Sequence, residues 1–151
     1  MTDSNANLAT VAEIYAAYSN GVTKPLMDAL ADDFEMHEHA PVTVPWGGAW
    51  KGLVGMENFL EAVTVNMIHL EYVCEGMMGR DDIVTSWGRF RTQSTRSNQI
   101  VKGQWMHRVV FCDGKIIELH EFADSLSVAE AFGLARQTPL EPHEAEAAKR
   151  V

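Results

Sequence analysis

The N-terminal part of the chain has helical hydrophobic periodicity. One apolar stripe predicts a helix over residues 5–19 and consists of Leu8, Val11, Ala12, Tyr15 and Tyr18. Asn20-Gly21 ends this helix, and Thr23 is a suitable N-cap for a short second helix that stops near Asp32-Asp33. A third helix is predicted over residues 54–66, after a segment rich in Pro, Gly and Trp that cannot be regular helix.

The periodicity becomes strand-like from residue 68 onward. It predicts four strands, over residues 68–78, 82–92, 97–112 and 115–124, and an earlier extended stretch over 34–39. Asp113-Gly114 is a strong hairpin signal between the last two strands, and a short helix follows at 127–135. This order predicts an α+β fold with three N-terminal helices on a strongly curved, mostly antiparallel sheet. Such a sheet forms a cone with an internal pocket.

Length and charge narrow the class of protein. The 151 residues suit a single domain over 1–138, followed by a charged tail over 139–151 that is either frayed or packed on a partner subunit. Twelve Lys and Arg against 21 Asp and Glu, a net charge of −9, argue against nucleic-acid or anionic-membrane partners. With no signal peptide, no long apolar run and only two cysteines, we expect a soluble cytoplasmic protein without a disulfide framework.

Four motifs together resemble the nuclear-transport-factor-2-like superfamily, and within it the SnoaL-like and ketosteroid-isomerase-like proteins. The resemblance covers about residues 5 to 135. It is carried by Tyr15 followed by Asn20-Gly21, by Leu30-Ala31-Asp32-Asp33, by the segment PWGGAWKG over 45–52, and by FCDGKI over 111–116 leading to EFAD over 121–124. The resemblance implies the cone-shaped pocket and a homodimer. The leading hypothesis is an enzyme that needs neither cofactor nor metal.

The same scaffold hosts several activities, so the function stays open between three classes. The first is proton transfer on a carbonyl-containing, apolar substrate by an isomerase or a polyketide-cyclase-like enzyme. The second is a non-catalytic binding domain for an apolar small molecule. The third is an epoxide hydrolase of the limonene type, in which carboxylates and an arginine activate water.

Glu38 and Tyr15 match the family's catalytic positions. Glu38 stands where ketosteroid-isomerase-like proteins carry the carboxylate that removes a proton beside a carbonyl, and an apolar face would raise the pKa of such a group. Tyr15 matches the helix tyrosine that donates a hydrogen bond to the developing oxyanion. Glu38 can equally be a solvated strand-end acid, and Tyr15 can equally be a core residue.

His107 and Glu121 form a second predicted constellation. Alternation places both on one face of the strands joined by Asp113-Gly114, at similar distances from that turn. Glu121 matches the acidic residue of the SnoaL-like cyclases, and a His–carboxylate pair in a dry pocket can transfer protons. The pair can also be a purely structural ion pair.

Further side chains are expected to line the pocket: Tyr18, Trp46, Trp50, Phe59, Trp87, Arg89, Trp105 and Leu119. The loop from Trp46 to Trp50 either lines the pocket mouth or packs across a dimer interface, and Arg89 either meets a pocket carboxylate or lies at the surface. His37 and His39 point the same way on a strand, as metal ligands would. No third ligand stands at a convincing spacing, so no metal is expected.

Overall fold

The computed structural model describes residues 3–41 and 43–134, which contain four helices and six strands. The order is α1 (Ser4–Tyr18), α2 (Lys24–Ala29), β1 (Leu30–Glu38), β2 (Gly48–Lys51), α3 (Gly52–Asn66), β3 (Met67–Arg80), β4 (Ile83–Ser94), β5 (Ile100–Cys112), β6 (Lys115–Ala123) and α4 (Ser125–Ala131). The predicted α+β class, with helices ahead of an antiparallel run of strands, is confirmed.

The strands form one sheet in the order β2-β1-β6-β5-β4-β3. Every neighbouring pair is antiparallel except β1 and β6, which are parallel. β3 carries bulges after His69 and after Cys74, and such bulges bend and twist a strand. α1 packs on β3 and β4, and α3 packs on β1, so both helices cover the same face of the sheet. We call this the inner face.

Two boundaries differ from the sequence prediction. β1 begins at Leu30, so Asp32 and Asp33 are exposed strand residues and do not end the second helix. Residues Gly48–Lys51, predicted as loop, form the edge strand β2 beside β1. A strand of four residues with little burial has no apolar alternation to detect. The predicted tail over 139–151 lies outside the described residues.

The β5–β6 hairpin follows the prediction from Asp113-Gly114. Both residues have positive φ, 49° and 76°, as a two-residue hairpin turn requires. The turn fixes the register of the two strands, and His107 lies directly opposite Glu121. The hairpin therefore creates the predicted pair on the inner face of the sheet.

The core lies between this inner face and the helices. Its largest fully buried side chains come from α1 and from strands of the sheet: Phe34, Phe111, Met36, Ile116, Val11 and Val84. Each such side chain contributes about 1.5–3 kcal/mol on burial. The core surrounds a central hollow, and the packing of the core side chains positions the walls of the candidate site.

Gly88 makes room for the indole of Trp105, which lies behind the wall of that hollow. It lies between Cys74 on β3 and Trp105 on β5. A Cβ atom at this position would overlap the carbonyl oxygen of Val73 and would lie 2.7 Å from the indole of Trp105. Trp105 is 2% exposed, and its Nε1–H donates to the carbonyl of Arg89 at 3.3 Å. The indole therefore stays in place only while residue 88 has no side chain.

We expect Gly88→Ala to lower the free energy of unfolding by about 3 kcal/mol, because both backbone and indole must move. Urea unfolding followed by circular dichroism measures this change. Arg91→Ala, at an exposed position of the same strand, is the control and should change stability by less than about 0.5 kcal/mol. A Gly88→Ala protein as stable as the Arg91→Ala protein would contradict the packing argument.

Candidate active site

A mostly apolar cavity of about 90 Å³ lies between α1, α3 and the inner face of the sheet. Aliphatic and aromatic side chains from both layers form most of its wall. A second hollow of about 50 Å³ reaches toward α4. The two hollows share six lining residues: Glu38, Trp46, Met67, His69, Tyr72 and Glu121. The two carboxylates therefore border both hollows.

Glu38 and Glu121 are register partners on the parallel strands β1 and β6. Glu38 is only 5% exposed. Burial raises the pKa of the Glu38 carboxyl well above its ordinary value, and the negative charge of Glu121 raises it further. Two adjacent carboxyl groups in an apolar cavity cannot both carry a charge without a large penalty. Glu38, whose pKa is raised by burial, is therefore the member of the pair that retains a proton.

His107 connects Glu121 to Tyr15 and Ser86. Its Nε2 lies 3.1 Å from Glu121 Oε2, and its Nδ1 lies 2.6 Å from the Tyr15 hydroxyl. Because the carboxylate can only accept, Nε2 carries a proton, and in the tautomer with its single proton there Nδ1 accepts from Tyr15. The Tyr15 oxygen in turn accepts from Ser86 Oγ at 2.6 Å. This series of hydrogen bonds fixes the imidazole tautomer and directs the Nε2–H of His107 at Glu121.

Two further polar side chains in the cavity wall, Tyr72 and His69 from β3, were not singled out from the sequence. Ser86, on β4, was not singled out either, and it supports Tyr15 from behind the wall. The Tyr72 hydroxyl lies 3.4 Å from His107 Nε2, and its ring stacks on Trp105 with centroids 5.0 Å apart. Burial raises the pKa of Tyr72 well above the ordinary value, so it remains a neutral donor. The bulge after His69 hid the two β3 residues, since it breaks the alternation that assigns faces.

Several predicted side chains do line the cavity. Tyr15, Tyr18, Trp46, Phe59 and Leu119 form part of its wall together with Glu38, His107 and Glu121. Tyr18 pairs through its hydroxyl with His69 Nε2 at 3.3 Å. Trp46 is 6% exposed and borders both hollows. Its loop thus closes over the site and belongs to the core of this chain.

Trp50 and Trp105 support the wall without lining it. The Nε1–H of Trp50 donates to the Trp46 carbonyl at 3.1 Å, and its ring packs edge-on against Phe59. Trp105 lies behind the cavity, where it contacts the rings of Tyr15, Tyr72 and His107. The expectation that both tryptophans line the pocket is therefore wrong, although each holds a lining residue in place.

Trp87 and Arg89 lie on the opposite, outer face of the sheet, so their expected place in the pocket is also wrong. They alternate with the buried residues Ser86, Gly88 and Phe90, which face inward. Arg89 is exposed and pairs with Glu71 at 2.7 Å and with Glu75 at 2.6 Å. Among the described residues, no lysine or arginine lines either hollow. Alternation identified the residues that share a face but not which face is covered.

His37 and His39 also face outward from β1. The sequence offered no third metal ligand, but the parallel pairing with β6 brings Glu118 and His120 to the same surface. Ligand atoms of His37, Glu118 and His120 all lie within 4.8 Å of one another. The expectation that no third ligand-type side chain accompanies these histidines is therefore wrong. Spacing along β1 could not reveal Glu118 and His120, because they lie on a strand more than eighty residues away in the chain.

None of the described helices is long and apolar enough to cross a membrane.

Comparison with protein families assigns the chain. The model of the SnoaL-like domain matches residues 11–119, which include the second half of α1, most of the residues that line the cavity and most of the sheet. The chain belongs to the SnoaL-like domain family. A search of the curated proteins found no match to this SnoaL-like protein.

Solved structures of similar fold support the architecture. An NTF2-like protein from Burkholderia xenovorans LB400 has a TM-score of 0.77 and 18% identity, over 87% of this chain and 99% of that one. A SnoaL-like polyketide cyclase homologue from Jannaschia sp. CCS1 has a TM-score of 0.72 and 17% identity, over 90% and 100%. TerC, co-crystallised with polyporic acid, has a TM-score of 0.71 and 18% identity, over 85% and 98%. At these identities the likeness establishes the fold of this SnoaL-like domain.

The protonated state of Glu38 makes stability depend on pH. The unfolded chain loses this proton near the ordinary pKa of glutamate, whereas the folded chain retains it to higher pH. Stability therefore falls as pH rises above the ordinary value, and Glu38→Gln removes this dependence. We expect the variant to gain stability over the wild type by up to ~1.4 kcal/mol per pH unit, from about pH 5 to about pH 8.

Urea unfolding at a series of pH values measures this difference. Glu57→Gln, which changes an exposed carboxylate on α3, is the matched control and should show no such trend. A stability difference between Glu38→Gln and the wild type that stays constant with pH would show that Glu38 is already ionised in the fold.

Proposed function

We propose that this SnoaL-like protein is a cofactor-independent enzyme that transfers a proton on a carbonyl-containing, largely apolar substrate. The outcome is an isomerisation, an aldol-type cyclisation or a dehydration. The observation that carries the proposal is the in-register pair of Glu38 and Glu121, one protonated and one charged, bordering a single apolar cavity. Pairs of carboxyl groups whose pKa values are driven apart are typical of acid–base sites.

The two carboxyl groups take different roles. Glu121 removes the proton from the carbon beside the substrate carbonyl, and the electron pair of the broken C–H bond moves into the enolate. Glu38 donates its proton, or a hydrogen bond, to the enolate oxygen. Sequence resemblance implied Glu38 as the base, but its raised pKa favours the acid role. The enolate carbon then recovers a proton at another position, or attacks a second carbonyl group.

His107 and Tyr15 prepare Glu121 for this step. The Nε2–H of His107 holds one carboxylate oxygen at 3.1 Å and leaves the other available to the substrate. The Tyr15 hydroxyl donates its hydrogen bond to His107 Nδ1, so we assign Tyr15 a positioning role in place of the expected oxyanion donor. The Tyr72 hydroxyl borders both hollows and is the second candidate donor to the enolate.

The cavity favours a planar, apolar carbonyl compound over an anion. Its walls are aliphatic and aromatic, and no cationic side chain among the described residues lines it. This also removes the support for epoxide hydrolysis, since Arg89 lies on the outer face, paired with Glu71 and Glu75. The remaining alternative is a binding domain for an apolar small molecule, which the same cavity would serve without turnover.

Exchange of α-protons tests the proposal. A panel of cyclic ketones is first screened by thermal stabilisation for compounds that bind. Exchange of their α-protons with solvent deuterium is then followed by NMR. We expect the wild type to accelerate exchange over buffer, and Glu121→Gln to lose about 100-fold or more of this acceleration. Glu38→Gln should lose less, about 10-fold, because the amide still donates a hydrogen bond.

Glu75→Gln is the matched control, since it removes a carboxylate on the outer face and should leave exchange unchanged. If compounds bind to the wild type and their α-protons exchange no faster than in buffer, the protein is a binding domain. Exchange that survives Glu121→Gln would show that the base lies elsewhere.

The positioning role of Tyr15 gives a separate prediction. Tyr15→Phe leaves Nδ1 of His107 without its donor, so the N–H directed at Glu121 is no longer fixed. We expect kcat to fall by about 10-fold with little change in KM. Tyr18→Phe, which removes a hydroxyl paired with His69, should change KM more than kcat. Equal effects of both substitutions on kcat would contradict the relay from Tyr15 to His107.

A further inference from the structure

The outer face of the β1–β6 pair carries a cluster of imidazoles and carboxylates that the proposed reaction does not use. His37 and His120 are register partners, and Glu35 and Glu118 are the next partners on the same face. His39 follows at the end of β1. The side chains of His37, Glu118 and His120 are 31%, 35% and 20% exposed, so a dissolved ion can reach them.

The imidazoles are in contact as a stack. The ring centroids of His37 and His120 lie 4.5 Å apart with planes 16° from parallel, and those of His39 and His120 lie 5.1 Å apart. Phe122 continues the stack against His39 at 4.3 Å. The stack brings the three imidazole rings together on one strip of the outer face.

Hydrogen bonds already orient two of these rings. His39 Nε2 and His120 Nδ1 lie 2.8 Å apart, and His120 Nε2 lies 2.9 Å from Glu118 Oε1. Because the carboxylate can only accept, a proton lies between His120 Nε2 and Glu118 Oε1. A metal ion bound to both atoms would take the place of that proton.

We propose that His37, Glu118 and His120 form a Zn²⁺ site on the outer face of the sheet. Two imidazoles and a carboxylate are ligands that Zn²⁺ prefers, and water completes the tetrahedron. Ligand atoms around one Zn²⁺ are about 3.4 Å apart, given bonds of ~2.1 Å. The present atoms lie within 4.8 Å of one another, and these partly exposed side chains need only small rotations to close on an ion.

The surroundings support the ligands. His39 Nε2 lies 2.8 Å from Nδ1 of His120, where a metal-bound histidine usually has its outer contact, and His39 is therefore a positioning residue. Arg108 Nη1 donates to Glu118 Oε1 at 2.7 Å, and His120 contacts the same oxygen. The ion takes the place of the proton between His120 and Glu118, while Arg108 continues to hold the carboxylate. The net charge of −9 further favours a cation.

Titration with Zn²⁺ tests the site on metal-free, untagged full-length protein. Isothermal titration calorimetry should show one Zn²⁺ per chain, and Co²⁺ should give the visible absorption of a tetrahedral complex. We expect His37→Gln and His120→Gln each to weaken binding by about 100-fold or more, and His39→Gln by about 10-fold. Circular dichroism should confirm that these surface variants remain folded.

Two control variants each remove one carboxylate or imidazole that is not among the proposed ligands. Glu71→Gln removes an outer-face carboxylate that is paired with Arg89, as Glu118 is with Arg108, and should leave the affinity for Zn²⁺ unchanged. His143→Gln, outside the described residues, should do the same. The proposal is overturned if His120→Gln binds Zn²⁺ like the wild type, or if His107→Gln abolishes binding while His120→Gln does not.

Discussion

The parallel pairing of β1 with β6 is the constraint on which the candidate site depends. It places Glu38 directly beside Glu121 in an apolar cavity, where two negative charges cannot coexist cheaply. One carboxyl group must hold a proton, and burial assigns it to Glu38. The N–H of His107 then meets the group that holds the charge. Titration belongs to the pair as a whole, so a change at either residue alters the other.

The sequence could predict one strand pair at this site but not the other. Asp113-Gly114 marks the β5–β6 turn, and counting outward from it gives the facing of His107 and Glu121. β1 and β6 have no turn between them, since a parallel pair is joined by a long connection. No local pattern therefore indicates that Glu38 meets Glu121. The most important contact of the site was hidden for this topological reason, although each of its members had been identified.

The second limit of the sequence prediction was the assignment of each strand face to the core or to solvent. Alternation correctly grouped Trp87 with Arg89, but a period of two does not say which group is covered by helices. The deciding feature is Gly88, which turns inward with Ser86 and Phe90 and leaves space for Trp105. A glycine among large residues of a strand indicates a close approach by a neighbour. Here that neighbour is the indole of Trp105, which contacts the rings of Tyr15, Tyr72 and His107.

One register governs both faces of the β1–β6 pair. Because side chains alternate, the pairing that brings Glu38 to Glu121 on the inside necessarily brings His37 to His120 on the outside. A slip of one residue would turn imidazoles into the apolar cavity and expose the buried acid pair. The inner apolar neighbours Phe34, Met36 and Leu119 oppose this slip, because each would be moved into water. Hydrophobic burial thus selects the register, and the register in turn assigns carboxyl groups to the cavity and imidazoles to the surface.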